Sequence, residues 1–90
     1  MGGLIGILNK VITVEMKPHQ DRWVEYVGKL TFCFENKMYY LEEYVKYLCR
    51  RDRSSTKKVA IESGDLVVLD SFNIATVKVN PKPMKEGKMK

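Results

Sequence analysis

Hydrophobic and polar positions alternate with a period of two over most of this 90-residue chain. In "VITVEMK", Ile12, Val14 and Met16 fall on one side and Thr13, Glu15 and Lys17 on the other, the pattern of a half-buried strand. The polar residues Pro18 to Asp21 then make a turn. Alternation resumes at Val24 and puts Val24, Tyr26, Gly28, Leu30, Phe32 and Phe34 on one face. A glycine inside that apolar row marks a place where the strand bends sharply or another backbone comes close. Three more short β-rich runs occupy Val59–Ile61, Leu66–Leu69 and Ile74–Val79. Leu4 to Leu8, between Gly3 and Asn9, reads as one or two turns of helix at an open end of the fold.

The stretch "FENKMYYLEEYVKYLCRR", from Phe34 to Arg51, supports two periods. Met38, Leu41, Val45 and Leu48 recur at helical steps, with Glu42 and Lys46 one turn apart. Tyr39, Leu41, Val45, Tyr47 and Cys49 alternate as in a strand, and its five aromatic residues favour that state. Locally both remain open, and a helix here would make the chain a small α+β nucleic-acid-binding module. The clearer strands, antiparallel in type and close in sequence, describe a small barrel that wants a further strand at this place.

Ninety residues allow one domain with one modest core. Composition is that of an ordinary globular chain, 44% hydrophobic and 30% charged. The opening "MGGLIGILNK" has a short apolar run with no basic residue before it, unlike a secretory signal, and Gly6 breaks the myristoylation pattern. Cys33 and Cys49 form no disulfide framework, which fits a reducing compartment. Charge changes the picture more. The net +5 is concentrated in Lys46, Arg50, Arg51, Arg53, Lys57 and Lys58, set against Asp52 alone, and in a tail from Pro81 to Lys90. A basic segment and tail on a near-neutral body point to a polyanion, most often nucleic acid. "RRDRSSTKK" is too charged for a core and reads as an exposed loop; residues 81–90 read as a flexible basic tail after a single domain over residues 1–80.

Candidate chemistry is sparse. The one histidine, His19, stands in a polar turn, and the cysteines have no metal-ligand spacing. Glu42 and Glu43 are adjacent, so on a strand they face opposite ways. No phosphate-binding glycine loop occurs. The expectation is a protein without catalytic residues, metal or cofactor.

Taken in order, the segments resemble an Sm or Sm-like (LSm) protein, the family that forms seven-membered rings on RNA. Its first motif resembles Val14-Glu15-Met16-Lys17, a turn, Val27-Gly28-Lys29-Leu30, and Phe34-Glu35-Asn36-Lys37-Met38-Tyr39. The second resembles Val67-Val68-Leu69-Asp70-Ser71-Phe72-Asn73-Ile74. The stretched basic segment between third and fourth strands and the proline-containing tail are most similar to the Sm B class. The resemblance implies a mainly β fold: a short N-terminal helix, then a five-stranded, strongly bent antiparallel SH3-like open barrel. It makes Met38 to about Cys49 the long third strand, with Tyr39, Leu41, Val45 and Tyr47 on one face and Glu43 at the bend.

The resemblance also implies a function: a divergent subunit of a hetero-heptameric ring on uridine-rich RNA in a spliceosomal small nuclear ribonucleoprotein core. Such a subunit is nuclear, with a cytoplasmic assembly stage, and its partners are other Sm-type subunits joined fourth strand to fifth strand. Departures from the pattern are specific. Gly28 to Glu35 is one residue longer than expected, which implies a bulge. Where the family has a base-stacking residue, an edge-reading Asn and a stacking Arg, this chain has Lys37, Tyr39 and Asp70. Lys37 offers a phosphate contact, Tyr39 a stacking ring and Asn73 a polar contact, whereas Asp70 repels phosphate. Arg50, Arg51, Arg53, Lys57 and Lys58 are then a collar holding RNA backbone beside the central hole. A degenerate RNA pocket leaves a protein-only scaffold or ring subunit as the alternative.

Overall fold

β-Branched and aromatic side chains in alternating rows favour a pleated, half-buried surface, and the chain forms one. A computed structural model describes residues 5–80. Its strands are β1 (Val11–Met16), β2 (Arg22–Cys33), β3 (Met38–Asp52), β4 (Ser55–Val68) and β5 (Ile74–Val79). They make one antiparallel sheet in the order β4-β3-β2-β1-β5, so β4 and β5 are its two edges. The fold is mainly β, a five-stranded open sheet consistent with a small barrel.

Register shifts mark three of the ladders, and the one between β2 and β3 bends β3. Across β2 and β3 the register shifts between Val27 and Lys29, and β3 carries the extra residue. Glu43 takes it up with φ 49, a left-handed conformation that bends the strand at a β-bulge. Opposite it, a Cβ on Gly28 would lie 3.0 Å from the Glu42 carbonyl oxygen and 3.1 Å from the Leu41 Cβ. Gly28 is thus a close approach of β3 backbone, as its place in an apolar row indicates. Ile12, Val14, Leu30, Leu41, Tyr44 and Leu69 form the buried core on the concave side. Full burial of each aliphatic side chain there contributes roughly 1.5–3 kcal/mol.

Met38–Asp52 is a strand, as the resemblance implies, and not a helix, because β2 and β4 offer that segment a hydrogen-bonded ladder on both sides. Other expectations change. The bulge inverts the phase of β3: Tyr44, not Val45, follows Leu41 into the core, and Val45, Tyr47 and Cys49 take the opposite face, where Cys49 is itself fully buried. The two short runs near Val59 and Leu66 are one 14-residue strand, since Glu62, Ser63 and Gly64 all keep partners on β3. The expected basic loop is a two-residue hairpin turn, Arg53 and Ser54, with Arg53 at φ 58 and Asp52 paired to Ser55. At the N-terminus the described residues show a single 3-10 turn, Ile5–Ile7, in place of the helix expected over Leu4–Leu8. The basic tail, residues 81–90, lies outside the described residues.

Candidate nucleic-acid interface

The two turns at the near end of β3 come together. Lys37 closes the β2–β3 turn at φ 59, its N–H donating to the Cys33 carbonyl at 2.7 Å. Asn36 braces this turn, accepting from the Met38 N–H at 3.2 Å and donating to the Tyr40 hydroxyl at 2.7 Å. One residue beyond Met38, the Tyr39 carbonyl accepts from the Leu69 N–H at 2.8 Å, which brings the turn after β4 alongside. Asp70 caps that turn by accepting from the Phe72 N–H at 3.2 Å and from the Asn73 side-chain amide. Lys37, Tyr39 and Asn73 therefore lie at one end of the sheet.

Their chemistry is more restricted than their placement. Tyr39 is half-buried, packed on the core and on Phe32 with ring centroids 4.8 Å apart. The Asn73 side-chain amide donates to Asp70, while the Asn73 backbone carbonyl accepts from the Lys17 N–H at 2.7 Å. Two exposed rings at these turns were not among the sequence candidates: Phe34, 77% exposed and edge-on to Phe32, and Phe72, 85% exposed. The signal was in the sequence, since each is a phenylalanine inside a polar turn. The resemblance drew attention to the positions beside them.

The basic residues occupy the opposite end, where β3 and β4 form an arm. Alternation divides them between two faces. Cross-strand register places Arg22, Arg50 and Lys57 directly opposite one another on the concave side, in line with Val24, Leu48 and Val59 two residues further in. Arg51 and Lys58 take the convex side and Arg53 the turn. Arg22 escaped the sequence reading because 28 residues separate it from Arg50 in the chain. The collar of five is thus no single surface.

Lys58 has a local partner. Its Nζ lies 3.1 Å from Glu25 Oε1 and 4.5 Å from the centroid of the Tyr47 ring, and Trp23 Nε1 donates to Glu25 Oε2 at 3.0 Å. Glu25 is the buried acid of this cluster. Desolvation pushes its carboxyl up, but hydrogen bonds from Trp23 and Lys58 and the Lys58 charge outweigh it, so the pKa falls below the ordinary value. Beneath, burial first and then the Glu25 charge push the Cys49 thiol up to about 11, keeping it protonated and unreactive at neutral pH. A depressed carboxylate pKa contributes stability that is present above its unfolded value and is lost as pH falls through the folded value. Glu25→Gln is therefore expected to flatten the acid side of the stability–pH curve below about pH 5. Urea titrations of both proteins from neutral to acid pH measure this, and parallel curves would contradict it.

Other features assign no chemistry. A groove of about 400 Å³ is lined by Met16, Pro18 and Trp23 with Glu15, Asp21 and Arg51, two carboxylates against one guanidinium, which does not attract a polyanion. His19 is bridged to Arg22 through backbone hydrogen bonds of 2.8 and 3.2 Å. Among the described residues no group of three or more His, Cys, Asp or Glu is placed to hold a metal ion, and no helix is long and apolar enough to cross a membrane. No protein-family model matches the chain, and no curated protein does.

Proposed function

We propose that the chain is a divergent Sm-like subunit of a hetero-heptameric ring that binds uridine-rich single-stranded RNA in a spliceosomal small nuclear ribonucleoprotein core, assembled in the cytoplasm and working in the nucleus. The observation that carries this reading is the strand order, which leaves β4 and β5 as open edges at opposite ends of the sheet. Edge β4 is also apolar where it is bare: Val59 is 60%, Ile61 50% and Leu66 54% exposed. A long, exposed, apolar edge strand templates pairing with another chain unless it is covered. A ring in which β4 of one subunit pairs with β5 of the next covers both edges. The RNA part rests on the turns that bring Lys37, Tyr39 and Asn73 together and on the basic arm. Native mass spectrometry of the chain mixed with other Sm-type subunits tests the ring. A closed heteromeric complex is expected, and a chain that stays monomeric beside them refutes it.

The second reading, a ring or scaffold subunit that contacts only protein, is favoured by one contact. The Asn73 amide is closed onto Asp70, whose anion stands where phosphate would approach. Salt-titrated binding of oligouridine and oligoadenine separates the two. A ring subunit on uridine-rich RNA retains a preference for uridine at high salt, whereas a scaffold shows only base-indifferent binding that salt removes.

A further inference from the structure

We infer that a single strand of nucleic acid runs across the concave face of the β2–β3–β4 arm, with phosphates on Arg22, Arg50 and Lys57 and bases over Val24, Leu48 and Val59. This rests on the RNA-binding reading above but not on ring formation. The three cations are direct cross-strand neighbours. Strands are about 4.8 Å apart, so the row sets three positive charges within about 10 Å. Like charges directly opposite each other destabilise a sheet, and little in the chain offsets them. Asp21 and Asp52 approach Arg22 and Lys57 only at 3.8 Å, with all four side chains at least 43% exposed. Exposed pairs of that kind contribute little. Arg50 has no ion pair among the described residues. Such a row is a site for an external polyanion.

The neighbouring row decides which polyanion. Val24, Leu48 and Val59 face the same way, two residues inward, about 6.5–7 Å along the strands. Leu48 is 39% and Val59 60% exposed, a bare apolar strip parallel to the cations. A nucleotide carries its phosphate on one edge and a flat apolar base face on the other, and so fits both rows together. An acidic peptide answers only the first. The next row ends the strip, because Lys46 lies over the Tyr26 ring at 5.7 Å and Glu62 accepts from the Tyr44 hydroxyl at 2.5 Å. On the convex side Lys58 is already engaged by Glu25, so the two faces differ in what they offer.

Fluorescence anisotropy of the full chain with labelled oligouridine, titrated with salt, tests the path. Arg22, Arg50 and Lys57 changed together to Ala are expected to flatten the salt slope by about two units and weaken binding about a hundredfold at 0.1 M salt, at roughly 0.7 unit per single-strand phosphate contact. Lys10, Lys29 and Lys78 changed to Ala remove the same charge from outside the arm and are expected to leave the slope within about half a unit. Leu48→Trp is expected to tighten binding at unchanged slope, since stacking on a larger ring releases few counterions. Thermal unfolding accompanies each variant; the concave triple is expected to melt no lower than the parent, because it relieves like-charge repulsion. Equal losses from the two triples, or competition by polyglutamate as effective as by unlabelled oligouridine, would overturn the inference. The assay reads binding whether or not the chain assembles, so a failure of ring formation leaves it standing.

Discussion

Gly28→Val is expected to lower the unfolding free energy by about 3 kcal/mol, at the upper end of what overpacking a core costs. The first atom of any side chain at this position meets the Glu42 carbonyl oxygen at 3.0 Å, the Leu41 Cβ at 3.1 Å and the Tyr44 Cα at 3.2 Å. These are backbone or first side-chain atoms of β3, and none can rotate aside. Relief requires β3 to move away from β2 at the bulge, and that bulge is what carries both Leu41 and Tyr44 into the core. A small domain has total stability of about 5–15 kcal/mol, so a loss of this size is a large fraction. Urea unfolding of parent and variant measures it, with Gly6→Ala as the control, since a Cβ at Gly6 meets nothing within 4 Å. A Gly28→Val protein that unfolds within about 0.5 kcal/mol of the parent, the scatter of ordinary surface substitutions, would show that β3 is not pinned there.

Val59→Lys combined with Ile61→Lys is expected to abolish assembly with Sm-type partners while leaving the isolated chain folded. Both side chains are at least half exposed on edge strand β4, so lysine there removes no core contact. A pairing strand added at that edge would have to bury or displace two ammonium groups, and charge on an edge is how natural sheets block such pairing. Native mass spectrometry is expected to find only the monomer of the variant where the parent forms complexes. Circular dichroism and urea unfolding are expected to match the parent within about 0.5 kcal/mol. Assembly that survives both lysines would place the contact elsewhere than on β4.

These two substitutions separate what is local from what is not. The alternation that defines β1, β2 and β5 is a property of neighbouring residues, so those strands and the inward set Ile12, Val14 and Leu30 were legible in the sequence. Gly28 was legible as well, because a glycine in an apolar strand row weakens the strand unless a bend or a close backbone approach requires it. The concentration of charge in Lys46–Lys58 was legible as a basic segment, though not as a strand hairpin, and the resemblance drew attention to Lys37, Tyr39 and Asn73, which the fold carries at one end of the sheet.

Tertiary structure decided the rest, since it depends on partners far away in the chain. Met38–Asp52 carries both helical and strand periods, and only the ladders offered by β2 and β4 select the strand. Glu62-Ser63-Gly64-Asp65 has the composition of a turn, yet β3 holds it extended, with Gly64 lying against the Tyr44 ring. The phase of β3 past Glu43 turns on one residue at positive φ, which no pattern of side chains encodes. That shift sets Arg50 opposite Arg22, and the hairpin that pairs Asp52 with Ser55 sets it opposite Lys57. Sequence alone thus determined how much positive charge this protein carries and on which segment; the register of three strands, fixed by a bulge against Gly28, decided which charges stand together.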